Sequence, residues 1–320
     1  MPKPIIINHT IKKYNKKIRV DSDKSLSIRF ALLASQAIGK SKAYNLLKSE
    51  DVVSTINCLK KLGVKIKWNK KKNFCIINGN GLNSYVYKDN LTLNGNNSGT
   101  CVRLLTSLLI NSSKKIKIVG DKSLSKRDMK RIIDPLTEFG ATFYPKNKNT
   151  LPLYIKGSDY LTPIKYLELK GSSQCKSSVM LAALLTPGET KLICKPSRNH
   201  TELLFKYLKI PIKIKKIKNY EIIKIKGKQN FKAFNYNIPS DISSSAFFIV
   251  LTLLSKNSKL ILKEVGVNKS RTGVIEILNK MGAKINLKNK KNYKGEIVAD
   301  IHVKSVKSLK AINCPSKLNT

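Results

Sequence analysis

At 320 residues, 41% of them hydrophobic, the chain is long enough to bury a substantial core and to form roughly two domains. Its formal charge of +43 reflects 62 basic against 19 acidic side chains. The lysines run the whole length, without zinc-finger spacing, an RNA-recognition aromatic motif or an isolated basic tail, so a dedicated nucleic-acid binder is disfavoured and weak nonspecific binding is expected.

The first element with a chemical signature is "SDKSLSIRFALLASQAIG", which sets Lys24, Ser25 and Arg29 around the start of a helix. Arg29 is one of 7 arginines, at positions 19, 29, 103, 127, 131, 198 and 271, whereas the other 55 basic residues are lysine. Abundant lysine, asparagine and isoleucine are what an A/T-rich coding bias would produce by pushing tolerant positions toward lysine, and lysine replaces arginine wherever a point charge suffices. It cannot replace a planar fork that grips carboxylate or phosphate with two bonds. The surviving arginines are therefore candidate anion contacts; the competing reading is residual noise in a drifting sequence.

"GKS" at Gly39–Ser41 is no phosphate loop, because Ala34 stands where such a loop needs glycine, and "GNG" at 79–81 lacks the third glycine of a dinucleotide fingerprint. Both are expected as turns. "LKKLGVKIKW" from Leu59 ends a helix, turns at Gly63 and enters an alternating strand. "NGNNSGTCVRLLTSLLI" then places Asn97, Gly99 and Thr100 at a second helix start, with Arg103 one turn in. "KKIKIVGDK" alternates as a half-buried strand, and "LTEFGATFY" from Leu136 repeats the helix–turn–strand junction at Gly140. "LKGSSQCKSSVMLAALL" sets Ser172, Ser173 and Gln174 at a third helix start. The third junction, "LFKYLKIPIKI" from Leu204, turns near Lys209 without a glycine, and "KIPIKIKKIKNYEIIKIKGK" alternates lysine with isoleucine. "IPSDISSSAFFIVLTLL" brings Asp241, Ser243 and Ser244 to a fourth helix start, and "LNKMGAKINL" from Leu278 closes the series at Gly282.

These junctions recur every ~70 to 77 residues, too long a period for a solenoid or propeller, so four α/β sub-domain units are expected. A helix N-terminus exposes unpaired N–H groups and a partial positive charge, favourable to an anion by about 0.3–1 kcal/mol. Serine, asparagine and aspartate there are also ordinary caps. Both readings stay open for the four loops. The six cysteines form no CxxC pair, and the histidines at 9, 200 and 302 have no metal-ligand spacing, so reduced thiols, no metal and a cytoplasmic location are expected. No signal segment opens "MPKPIIINHTIKKYNKK", and the longest apolar run, 246–254, is too short to span a bilayer.

Taken together, "DKSLSIRFALLASQAIGKSKAYNLLKSEDV", "NGNNSGTCVRLL", "GDKSLSKRDM", "SSQCKSSVMLAALLTPGET", "SRNHTELL", "IPSDISSSAFF" and "VGVNKSRTGVIEILNKMGA" resemble the enolpyruvyl transferases, in the branch of the 5-enolpyruvylshikimate-3-phosphate synthases (3-phosphoshikimate 1-carboxyvinyltransferases). "SSQCKSS" with "SRNHTE" is most similar to the second, bacterial class of that branch. The resemblance implies a mixed α/β (α+β) inverted-repeat fold of six units in two domains, four of them present here. It implies a complete three-unit domain over 21–237 and a partial one from 1–20 plus 238–320. The implied reaction joins shikimate 3-phosphate to phosphoenolpyruvate through a tetrahedral intermediate and releases phosphate, with no cofactor.

By the same resemblance Lys24, Ser25 and Arg29 contact shikimate 3-phosphate, and Lys24 is also the catalytic residue retained. Ser172, Ser173, Gln174, Ser197 and Arg198 hold the same substrate, while Lys24, Gly99, Arg127 and Gln174 hold phosphoenolpyruvate. Arg103 and Arg271 are read as structural, and Asp51 and Asp241 as hinge or cap residues. Asp128 departs from the family's usual proline, and an acid there can weaken the hold of Arg127 on its ligand.

The family continues past "ADIHVKSVKSLKAINCPSKLNT" into a segment with its catalytic aspartate and last basic contacts, which these residues do not include. A truncated, monomeric enzyme is expected, with a separately encoded C-terminal fragment as one form of it. A dead remnant that still binds shikimate 3-phosphate and a basic nucleic-acid module are the alternatives. The sister enzyme acting on UDP-N-acetylglucosamine is disfavoured, because "DKSLSKRDM" lacks that branch's reactive cysteine.

Overall fold

The computed structural model describes residues 11–315; His9 and the first ten residues of the opening stretch in which no signal segment was read lie outside the described residues. In chain order the elements are β1 (Asn15–Ile18), α1 (Lys24–Gln36), β2 (Ile38–Tyr44), α2 (Glu50–Lys61), β3 (Lys65–Asn69) and β4 (Phe74–Asn80). Next come β5 (Thr92–Asn94), α3 (Gly99–Ser107), β6 (Ile116–Val119), α4 (Lys130–Glu138), β7 (Thr142–Tyr144) and β8 (Leu153–Lys156). Then follow β9 (Lys165–Glu168), α5 (Ser173–Leu185), β10 (Glu189–Cys194), α6 (His200–Tyr207), β11 (Ile212–Ile217), β12 (Tyr220–Lys226) and β13 (Asn235–Asn237). The last group is α7 (Ile242–Leu254), β14 (Lys259–Gly266), α8 (Gly273–Lys280), β15 (Asn286–Tyr293) and β16 (Glu296–Lys304).

The strands form four sheets of four: β13-β2-β4-β3, β5-β6-β8-β7, β9-β10-β12-β11 and β1-β14-β16-β15. Each repeats one plan, a parallel first pair followed by two antiparallel pairs. The fold is thus mixed α/β in four like units. Two sheets borrow their first strand from a distant part of the chain, β13 beside β2 and β1 beside β14. That borrowing closes the chain into two compact units, Ser22–Ile238 and Met1–Asp21 with Pro239–Thr320.

Local chemistry explains the repeats. Lysine alternating with isoleucine in β12 buries Glu221, Ile223 and Ile225 while the lysines face outward. The outer strands β3, β11 and β15 are lysine-rich and largely exposed, and charge along an edge discourages pairing with another chain. Gly63, Gly140 and Gly282 end α2, α4 and α8 with φ of +85°, +114° and +100°. At the equivalent end of α6, Lys209 takes φ +58°, so the junction without glycine keeps the same turn at some backbone strain.

One expectation is corrected. Neither Gly39–Ser41 nor the stretch 79–81 is a turn: the first runs within β2, Gly79 and Asn80 within β4, and Gly39 pairs with Gly79. Gly79 is glycine because a Cβ there would strike the carbonyl oxygens of Ala34 and Ala37. Close seating of α1 on its sheet, rather than chain reversal, accounts for the motif.

Within Ser22–Ile238, α3 packs against both α1 and α5, and Arg29 links α1 to α5 through the Ser177 hydroxyl at 2.8 Å. Among the described residues no helix is long and apolar enough to cross a membrane, no acid, histidine and cysteine cluster could hold a metal ion, and the six cysteines form no disulfide.

Candidate active site

The first turns of α1, α3 and α5 converge on a cavity of about 320 Å³ within Ser22–Ile238. Each helix is capped: Asp23 Oδ1 accepts from Leu26 N at 2.8 Å, and the Ser98 and Ser172 hydroxyls accept from Cys101 N and Cys175 N at 3.2 Å. Capping and anion attraction coexist here, since the caps satisfy one amide each and leave the partial positive charge of three helix ends directed at one space.

Lys24, Arg29, Arg127 and Arg198 line the cavity, against a single carboxylate, Asp51. Asp51 Oδ2 lies 3.4 Å from Lys24 Nζ. The acid read as a hinge or cap thus stands in the site as partner to the lysine. Arg29 is 4% exposed, and its fork is largely spent inside the protein. Nε donates to Thr201 Oγ1 and one terminal nitrogen to Ser177 Oγ, both at 2.8 Å, while the other reaches the Ser25 carbonyl at 3.2 Å. Three such geometrically fixed bonds are what lysine cannot make, so here the arginine is retained for positioning as well as charge.

Gly99 sits in front of Arg103 and Arg127, where a Cβ would lie 3.2 Å and 3.3 Å from their terminal nitrogens. Its missing side chain keeps the approach to both guanidiniums open. Arg127 donates to Asn97 Oδ1 at 3.1 Å, and Asn97 in turn donates to Asp121 Oδ2 at 2.6 Å. The Leu124 amide, then Asn97, hold the Asp121 carboxyl below its usual range. The Asp128 carboxylate turns to the Lys130 amide at 2.7 Å, the start of α4, so the acid next to Arg127 in sequence serves the helix.

Gln174 is clamped between helices: its amide donates to Thr100 Oγ1 at 2.9 Å and its carbonyl accepts from Arg103 at 2.6 Å. Arg103 also donates to the Asp128 carbonyl at 3.2 Å, and burial, then Arg131 and Arg127, lower its pKa. Arg271 is held by Asp241 at 2.9 Å and Ser243 at 2.7 Å, where Asp241 caps α7.

Eight of the ten residues singled out from sequence line the cavity: Lys24, Ser25, Arg29, Gly99, Arg127, Ser173, Gln174 and Arg198. Ser172 and Ser197 do not. Ser172 stands one residue back as the α5 cap, its own hydroxyl proton still available to donate, and the Ser197 hydroxyl is buried without a hydrogen-bond partner among the described residues. Asn97, Thr100, Asp51 and His200 line the cavity without having been assigned a contact. Asn97 and Thr100 lay in a loop already marked as chemical. His200 had only its place after "SRN" to mark it.

The comparisons agree with one another. Residues 9–316 match the family model described as EPSP synthase (3-phosphoshikimate 1-carboxyvinyltransferase). The 3-phosphoshikimate 1-carboxyvinyltransferase of Petrotoga mobilis is 39% identical over 308 residues, covering 95% of this chain and 69% of that protein. That of Vesicomyosocius okutanii is 39% identical over 316 residues, covering 98% and 70%. The EPSP synthase structure from Acinetobacter baumannii superposes with a TM-score of 0.85 at 35% identity, covering 96% of this chain and 68% of that one. The enolpyruvyl transferase NikO of Streptomyces tendae shares the fold at a TM-score of 0.68 and 13% identity. With that match across nearly its whole length, the chain belongs to the EPSP synthase family.

Proposed function

We propose that these 320 residues bind shikimate 3-phosphate and phosphoenolpyruvate for transfer of the enolpyruvyl group between them. The observation that carries this is four cationic side chains and three helix N-termini on one cavity with a single carboxylate. Such a site suits two polyanionic ligands side by side, since charge-assisted bonds contribute roughly 1.5–3 kcal/mol each. Ser172, Ser173, Gln174, Ser197 and Arg198 hold shikimate 3-phosphate, with Ser25 and Arg29 beside them. Gly99 and Arg127 receive phosphoenolpyruvate, Gln174 touches both ligands, and Lys24 sits between them.

In the reaction the 5-hydroxyl of shikimate 3-phosphate loses its proton as its oxygen adds to C2 of phosphoenolpyruvate and C3 gains a proton. Loss of phosphate and of one methyl proton then restores the enol ether. Each step needs a positioned acid or base. Lining this cavity, only Asp51 and His200 are such groups besides the cations, and Asp51 is paired with Lys24. We therefore assign these residues to binding and orientation, with turnover depending on an acid–base group outside them.

Calorimetry on the 320-residue chain tests the reading. Shikimate 3-phosphate is expected to bind at millimolar concentration or below, and Arg198→Lys to weaken it about tenfold or more through loss of the fork. A folded chain giving no heat with either ligand rejects the binding role. Phosphate release at ordinary enzymatic rates from this chain alone rejects the assignment of turnover elsewhere.

A further inference from the structure

Lys176 lies on α5, two residues beyond Gln174, and is completely buried at 0% exposure. Its ammonium is 2.5 Å from Glu202 Oε1 of α6 and 3.7 Å from Glu221 Oε2 of β12, and it donates to the Ser197 carbonyl at 3.3 Å. Three oxygens from three separate segments thus surround this ammonium, one as a hydrogen-bond acceptor and two as ion-pair partners. Next to it, Ser177 Oγ and Thr201 Oγ1 are 2.7 Å apart and both accept from Arg29. Positions 176 and 177 of α5 are thus clasped to 202 and 201 of α6.

Burying an ion pair adds little net stability over apolar residues of the same volume, because desolvation offsets the attraction. Directed orientation is what such a cluster supplies that apolar packing cannot. The segment between β10 and α6 carries Arg198 into the cavity, while the first turn of α5 carries Ser173 and Gln174 there. Lys176 joins the segment's backbone, at the Ser197 carbonyl, to the acids behind it. We propose that Lys176 is a positioning residue that fixes Ser197 and Arg198 against the α5 first turn, setting the spacing at which the two segments grip one phosphorylated ligand. The inference rests on the anion-binding reading of the cavity for its ligand, but not for its structural content.

The scarcity of arginine makes the structural content directly measurable. An arginine-specific protease has 7 sites in this chain, one of them after Arg198. In Lys176→Met, cleavage after Arg198 is expected to accelerate at least about tenfold, with cleavage after Arg19 and Arg127 unchanged. Lys176→Met/Glu202→Gln/Glu221→Gln, which removes the uncompensated buried carboxylates, is expected to show the same local acceleration if the single variant unfolds. Unchanged cleavage after Arg198, or a rise at every site in both variants, overturns the proposal. Shikimate 3-phosphate affinity, by calorimetry, is expected to fall about tenfold in Lys176→Met and not further when Arg198→Ala is added; additive losses also overturn it. Absence of binding by the unsubstituted chain rejects the ligand reading alone and leaves the cleavage pattern to decide the role of Lys176.

Discussion

The helices α1, α3 and α5 and the helix α7 occupy the same place in four copies of one α/β plan, yet they are buried to different extents. Of the 13 residues in α1, 11 are buried, and α5 is the same. In α7 only 5 of 13 are, although its sequence "ISSSAFFIVLTLL" is the most apolar of the four. Phe247 and Leu254 are 79% and 70% exposed. A helix apolar on all sides is built for burial on all sides. Its own sheet covers one side of each helix; in Ser22–Ile238 the sister helices cover the rest. Cover therefore comes from the repeat and not from the single unit, and α7 carries the composition of a covered helix with only its sheet beneath it.

The seat of each helix differs in the same sense. Gly79, Gly157 and Gly227 lie where a Cβ would strike the backbone at the C-terminal ends of α1, α3 and α5. Lys228 N bonds to the last-turn carbonyl of Leu184 in α5 and Ser158 N to the Ile110 carbonyl in the turn that follows α3, as Val306 N does to Leu253 of α7. By that correspondence Ser305 takes the glycine's place under α7. Gly227→Ala is therefore expected to give a large effect, about 3 kcal/mol of lost stability, because the clash is with the carbonyls of Ala183 and Thr186 and not with a side chain that can turn away. Ser305→Gly is expected to stay within about 1 kcal/mol. Calorimetric melting of both variants decides: equal losses would break the distinction between the two seats.

Much of this arrangement was legible in the sequence because it rests on local rules. Gly63, Gly140 and Gly282 mark positive-φ turns, and lysine–isoleucine alternation marks strands with one wet face. The site was legible where arginine survived among 55 lysines. The same surplus hid Lys176, whose burial depends on Glu202 and Glu221 arriving from other elements. It also hid the division of labour in Arg29, because which partners take its fork is decided by Ser177 and Thr201, about 150 residues or more away. Gly39 and Gly79 misled for a related reason: their meaning is a contact across the sheet and onto a helix, not a local bend.

A second, smaller effect sharpens the contrast from the side of the α7 unit, whose sheet carries a buried charge pair. The Asp300 side chain is 5% exposed, bonded to Lys263, the Glu264 amide at 3.0 Å and Asn289 at 2.8 Å. Burial raises its pKa, but those three donors prevail and bring it down to about 2, against 3.8 for a free aspartate. Because the folded value is depressed, the carboxylate's contribution is complete above about pH 4 and is lost as pH falls through about 2. It amounts to about 2 kcal/mol. Asp300→Asn is expected to remove that part of the acid sensitivity of the segment containing β14–β16, measured as the pH dependence of its melting. An unchanged acid limb would mean that Asp300 is not the group responsible.

The smallest effect on stability is expected where the apolar surface is largest. Leu254→Ser and Phe247→Ser delete side chains that already face solvent, so the unfolded and folded chains lose nearly the same hydration cost, and the change should stay within about 0.5 kcal/mol. By contrast Leu184→Ala, at the matching end of α5, removes a side chain that is 1% exposed and should cost about 2–5 kcal/mol. The exposed pair should matter in a different measurement. A contiguous apolar stripe formed by Phe247, Phe248, Leu251 and Leu254 favours association even against a charge of +43, and light scattering of the unsubstituted chain should rise with concentration and with salt, which screens that charge. The serine variants should abolish the rise. If they instead lower the melting temperature as much as Leu184→Ala does, α7 is covered in the isolated chain, and the difference between it and its sister helices is not one of burial.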